Sequence, residues 1–101
     1  MNEITIVYWR DIPAQVIVGK GRRGVKRQLT ERFEQAIDRA AMKSGAKDAD
    51  AYLSDWRKVE VNPVAGEPEI ILDEQTQRLE REYDSKQIME LIQNDGWKNP
   101  I

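Results

Sequence analysis

The sequence contains no cysteine and no histidine. The first absence excludes disulfides, thiol nucleophiles and thiolate metal sites. The second removes imidazole ligands and the usual general base near neutral pH. Aromatic residues make up only 7% of the chain. No apolar run approaches the roughly 20 residues that a membrane-spanning helix needs, so no membrane association is expected. The N-terminus, Met1-Asn2-Glu3-Ile4, lacks a basic region followed by an apolar stretch. A secretory signal is therefore not expected, and a cytoplasmic location is. What is present is 34% charged and 40% apolar residues in a chain of 101. That balance is neither disordered nor fibrous in character. A chain of this size forms one domain and buries roughly two-thirds of its unfolded surface.

Residues Glu3 to Trp9 (EITIVYW) are rich in β-branched and aromatic types and read as a strand. Ile4, Ile6 and Tyr8 fall on one face and Thr5, Val7 and Trp9 on the other; neither face is purely polar, so the strand is expected to be central or covered on both sides. Arg10-Asp11-Ile12-Pro13 carries turn chemistry, and Ala14 to Val18 (AQVIV) completes an antiparallel hairpin. Gly19-Lys20-Gly21-Arg22-Arg23-Gly24 reads as a loop. Thr30 is a good N-cap for a helix carrying Phe33 and Ile37, with Gly45 as its C′ residue. A short helix fits Asp48 to Trp56, with Tyr52, Leu53 and Trp56 on its apolar face. Lys58 to Asn62 (KVEVN) alternates and fits a third, edge strand, after which Pro63, Gly66 and Pro68 break structure. The last third is helical, with Ile71, Leu72, Leu79 and Tyr83 on one stripe and Ile88, Leu91 and Ile92 following. One kinked helix and two consecutive helices both fit; the capping-box spacing Asp84-Ser85-Lys86-Gln87 favours two. Trp97 to Ile101 forms a tail. The expected architecture is a single α+β domain over residues 1–101, a small antiparallel sheet packed against about four helices, in the order β-β-α-α-β-α-α.

The strand ending YWRDIPAQV, the basic stretch KGRRGVKR, the helix ERFEQAIDRAAMKSG and the following DADAYLSDW resemble a small bacterial family, the virulence factor domain. The resemblance covers nearly the full chain and is most specific in YWRDIPAQV. The family's name describes a phenotype, and the resemblance transfers no catalytic residue, cofactor or substrate to any position here. Stand-alone members are associated with neighbourhoods of folate- and corrinoid-dependent methyl transfer. That implies, as an alternative function, an accessory subunit or enzyme component in one-carbon transfer, whose basic loop would hold a polyanionic tail or cofactor phosphate.

Three residue groups are candidates for function. Lys20, Arg22, Arg23, Lys26 and Arg27 lie within eight residues and alternate with glycines. Glycine admits close backbone approach, and arginine suits bidentate contact with phosphate or carboxylate. Gly19, Gly21 and Gly24 match a bare Gly-x-Gly-x-x-Gly string, but no strand–turn–helix setting surrounds it, so a dinucleotide fingerprint is discounted. The competing reading is a solvated loop. Trp9, beside Arg10, is the candidate apolar anchor, against a competing reading of core packing with an Arg10–Asp11 turn interaction. Carboxylate pairs such as Asp48/Asp50, Asp73/Glu74 and Glu80/Asp84 exist; the last lies one helical turn apart and has the spacing to ligate a hard cation, but a solvated helix face is the favoured reading.

Charge is asymmetric along the chain. Residues 1–32 carry seven basic and three acidic groups, a balance of +4, and residues 60–95 carry three basic and ten acidic, a balance of −7. The acidic helices can fold back on the basic loop, or dock on that of a second copy, which keeps a homodimer open. A net charge of −2 argues against avid nucleic-acid binding, which stands third among the functional readings. The reading these residues support is a non-catalytic binding or accessory protein without a cofactor. Arg10, Lys20, Arg22, Arg23, Lys26 and Arg27 would contact an acidic protein partner or a phosphorylated ligand, with Trp9 as anchor.

Overall fold

The computed structural model of the chain describes residues 2–20, 22, 24–46 and 49–98. Its elements run β1 (Asn2–Trp9), β2 (Ile12–Val18), β3 (Val25–Gln28), α1 (Glu31–Lys43), α2 (Ala49–Ser54), β4 (Trp56–Val64), α3 (Pro68–Glu82) and α4 (Ser85–Gln93). All strand pairs are antiparallel, in the sheet order β3-β2-β1-β4. This is the expected α+β architecture, with β1 central and the alternating KVEVN segment on the outside, where it extends from Trp56 to Val64 as β4.

One strand is additional. Val25–Gln28, within the basic stretch, pairs with β2 as Val18↔Val25, Ile17↔Lys26, Val16↔Arg27 and Gln15↔Gln28. Its VKRQ sequence holds a single apolar residue, so nothing in its composition marks a strand; the adjoining edge of β2 supplies the hydrogen bonds that make it one. Pro13 lies inside β2 rather than in the turn. The register slips between Val7↔Gln15 and Tyr8↔Pro13, leaving Ala14 as the extra residue of a bulge, the setting in which a strand tolerates proline. The Ala14 carbonyl accepts instead from the Leu29 N–H at 2.9 Å.

Alternation decides which side of the sheet is covered. Ile4, Ile6, Val16 and Val18 are buried in one cluster with Phe33, Ile37 and Ala40 of α1, Ile71, Leu72 and Leu79 of α3, and Ile88 and Leu91 of α4. Val7 and Ile17, on the reverse side, are half-buried and lie outside that cluster. β1 is therefore central in the sheet, with its Ile4/Ile6 face in the main cluster and Thr5 and Val7 of the other face half-buried.

The helix ends follow local chemistry. Gly45 leaves α1 with φ +79°, and the N–H groups of Gly45 and Ala46 return to the carbonyls of Met42 (3.3 Å) and Ala41 (2.9 Å), a Schellman closure. Pro68 occupies the first turn of α3, where its missing N–H costs nothing. The C-terminal region is two helices: Asp84 caps α4 by accepting from the Gln87 N–H at 2.9 Å. α2 stops at Ser54, so Trp56 belongs to β4 and not to that helix, while Asp48, the expected first residue of the helix, lies outside the described residues.

Thr30 stands at the N-cap of α1, but its hydroxyl does not cap the helix. It donates to Glu80 Oε1 of α3 at 2.8 Å, and the Thr30 N–H donates to Oε2 at 2.8 Å. The Arg32 guanidinium reaches the same carboxylate at 3.0 and 3.2 Å and the carbonyls of Glu80 (2.7 Å) and Tyr83. Glu80 thus joins the start of α1 to the C-terminal half of α3. With Asp84 engaged as a cap, the pair Glu80/Asp84 is not a cation site. Burial alone would raise the Glu80 carboxyl, but the bonds from Thr30 and Arg32 outweigh it and hold the group below its ordinary value.

A depressed folded-state value contributes stability above the unfolded carboxyl's pKa and loses it as pH falls through the folded one. Glu80→Gln is therefore expected to cost about 1–3 kcal/mol at neutral pH. The difference from the parent should close as pH falls below the ordinary 4.5, as read by urea unfolding across that range.

Candidate functional site

The pairing Trp9↔Ile12 leaves Arg10 and Asp11 as a two-residue hairpin loop. Such loops use left-handed backbone, and Arg10 adopts φ +54°. The residues of this turn bond to segments far along the chain. The Trp9 side chain is fully buried, stacks on Tyr52 with centroids 5.9 Å apart, and donates from Nε1 to the Tyr52 carbonyl at 2.9 Å. The expectation of an exposed anchor is corrected: Trp9 holds α2 on the sheet and presents nothing to a partner.

Arg10 is corrected in the same way. Its side chain is 13% exposed and donates from Nε to Asp55 Oδ2 at 3.0 Å and from a terminal nitrogen to the Asp95 carbonyl at 2.6 Å. Its guanidinium lies 4.6 Å from the Trp9 ring and 5.3 Å from that of Trp97. Three distant segments thus meet on one side chain: the hairpin turn, the α2–β4 junction and the chain beyond α4. Asp11 does not pair with Arg10. It accepts from Arg57 at 2.8 Å through Oδ1 and from the Lys98 N–H at 2.7 Å through Oδ2, while its own N–H donates to the Gly96 carbonyl at 2.8 Å. Gly96 has φ +92°, and a Cβ placed there would lie 3.1 Å from the Trp9 ring.

The basic stretch divides by strand alternation. Arg27, opposite Val16, sits on the helix side and pairs with Asp73 and, at 3.9 Å, Glu69 of α3. With the Arg32–Glu80 pair, this is the acidic third of the chain folding back on the basic one. Lys26, opposite Ile17, sits on the reverse side and is exposed. Lys20 pairs with Glu3 at 3.0 Å in solvent, a contact of little energetic weight. Arg22 is exposed in the turn between β2 and β3. Arg23 and Gly21 lie outside the described residues. Neither Arg22 nor Lys26 has a carboxylate partner among the described residues. The glycine-containing turn leads into a strand, not a helix, so it lacks the helix N-terminus that a phosphate loop uses.

The reverse face brings together residues that were not grouped by sequence. One row reads Lys26–Ile17–Thr5–Glu60 and the next Gln28–Gln15–Val7–Lys58. Only the register of four strands puts Lys58 and Val7 beside the basic stretch; the alternating pattern of β1 was the available sign that Val7 faces away from Ile6. Among the described residues, no group of three or more His, Cys, Asp or Glu is placed to hold a metal, and no helix is long and apolar enough to cross a membrane.

Fold and surface together define a small α+β domain whose four-stranded antiparallel sheet packs α1, α3 and α4 on its Ile4/Ile6 face and leaves Lys26, Lys58 and Glu60 exposed on the other. The family model described as virulence factor matches residues 7–92, from β1 into α4. The chain belongs to that family. No curated protein and no solved structure matches it.

Removing the Arg10 side chain leaves Asp55 without its ion-pair partner, and Arg10→Ala is expected to cost about 2–4 kcal/mol in urea unfolding. Gly96→Ala adds a left-handed-region penalty and a contact with Trp9; it should cost about 1–3 kcal/mol while leaving the far-ultraviolet spectrum unchanged.

Proposed function

We propose that this protein is a non-catalytic binding module that docks an acidic segment of a protein partner on the open face of its sheet. The observation that carries this reading is the division of the basic stretch. α3 neutralises Arg27 on the covered side, whereas Lys26 on the open side, and Arg22 in the adjoining turn, have no carboxylate partner among the described residues. Beside Lys26 lies the apolar Ile17, with Val7 diagonal to it and Lys58 beyond. Cations around a modest apolar centre suit a partner carrying carboxylates next to aliphatic side chains. The two cross-strand rows contain no aromatic ring on which bases could stack, which supports an acidic protein over a nucleic acid.

The test compares affinity capture from native lysate by the parent, by Arg22→Glu/Lys26→Glu, and by Lys86→Glu, a control on the exposed surface of α4. An acidic protein should be retained by the parent and the control and lost by the double variant. Binding of that protein, once purified, should weaken as salt rises. Undiminished retention by the double variant overturns the reading, as does retention of no acidic protein at low salt.

A further inference from the structure

A cleft with a cavity volume of about 170 Å³ opens where α1, α2 and the start of β4 converge. Two of its walls are aromatic. The rings of Tyr52 and Trp56 stand at 81° to each other with centroids 5.9 Å apart, forming a corner. The corner is rigid because Trp9 stacks on Tyr52 from another side and bonds its carbonyl. A third wall comes from α1: Glu34, Ile37 and Asp38 occupy positions i, i+3 and i+4, so one helix face delivers two carboxylates and an aliphatic side chain to the same opening. Ala14 and Leu29 complete the apolar lining, and Gln28 stands with them. Among the described residues, no lysine or arginine lines the cleft.

The two carboxylates make no ion pair or hydrogen bond among the described residues, in a protein whose arginines are otherwise heavily paired. They are near enough to Tyr52 to act on it: burial first, and then the negative charge of Asp38, push its hydroxyl above the ordinary tyrosine value. An aromatic ring face attracts a cation, and the carboxylates that line the cleft supply its counter-charge. An aliphatic stem finds Leu29, Ile37 and Ala14. The volume is below the roughly 300 Å³ at which drug-sized ligand pockets begin, and suits a single side-chain-sized group.

We infer that this cleft binds an organic monocation, an ammonium or guanidinium group at the end of an aliphatic chain. The site is independent of the proposed acidic partner: it shares only Gln28 with those sheet rows and carries charge of the opposite sign. The same chemistry is offered by a free amine and by a lysine or arginine side chain of another protein.

The test follows amide and indole N–H signals of the ¹⁵N-labelled full chain, with the Trp56 indole assigned through Trp56→Phe. The probes are n-butylammonium, Ac-Gly-Lys-Gly-NH₂ and Ac-Gly-Arg-Gly-NH₂. Their uncharged counterparts are n-butanol and Ac-Gly-Gln-Gly-NH₂. Saturable shifts centred on Trp56, Gln28 and Ala14 are expected with at least one cationic probe and not with the neutral ones. Affinity should fall about tenfold in Glu34→Gln/Asp38→Asn, whose exposed positions leave the fold intact. Tighter binding of a peptide than of butylammonium would identify a basic protein segment as the source; the reverse would identify a free amine. Three outcomes overturn the inference: no saturable shift at Trp56 with any cation, an equal response to the neutral probes, or undiminished affinity in the double variant.

Discussion

The single guanidinium of Arg10 is the constraint on which the rest of the structure depends. It is held between two indole rings, bonded to one carboxylate and to one carbonyl, and almost wholly enclosed. A charge in that position is tolerable only if each partner is in place. The partners come from residues 55, 95 and 97, so the charge makes closure of the chain's far end a condition for a stable hairpin at its near end. Gly96 extends the same condition, because its bare Cα is what lets the terminal segment lie against Trp9 and pass its carbonyl to the Asp11 N–H.

A second junction distributes the charge asymmetry. Seen along the sequence, a basic third and an acidic third look like surfaces for partners. Folded, much of each becomes the other's counter-charge: Arg27 meets Asp73 and Glu69, and Arg32 meets Glu80. What remains unneutralised is a residue of this pairing, sorted by the two-residue period of β3. Lys26 stays in solvent because its neighbour Arg27 is the one facing α3. Glu34 and Asp38 of α1, at a cleft walled by aromatic rings, have no ion-pair partner among the described residues. The two candidate surfaces are thus each defined by groups that the internal pairing left over.

Several elements were legible from residue chemistry alone because their determinants are local. The β1–β2 hairpin, the N-cap position of α1, Gly45 as its exit and the break at Asp84 each depend on residues within a turn of one another. Belonging to the virulence factor family was legible too, through the YWRDIPAQV block, which proves to be the structural hub rather than a contact surface. Strand β3 escaped because its residues have little strand preference and pair only against an edge that β2 provides. Trp56 was placed on a helix because an i, i+4 spacing with Tyr52 is compatible with one; the chain in fact ends the helix at Ser54 and turns the two rings perpendicular across the junction.

Composition and short-range periodicity suffice for the α+β class, for most of the apolar positions that build the core, and for the exclusion of thiol and imidazole chemistry. Tertiary structure alone decided which charges are spent and which are available. Ion pairing depends on distance between segments some fifty residues apart, and no local rule carries that information. For the same reason Trp9 and Arg10, which read as an anchor and a contact, became the buried centre, and the candidate surfaces moved to Lys26 with its sheet neighbours and to the cleft beside Trp56.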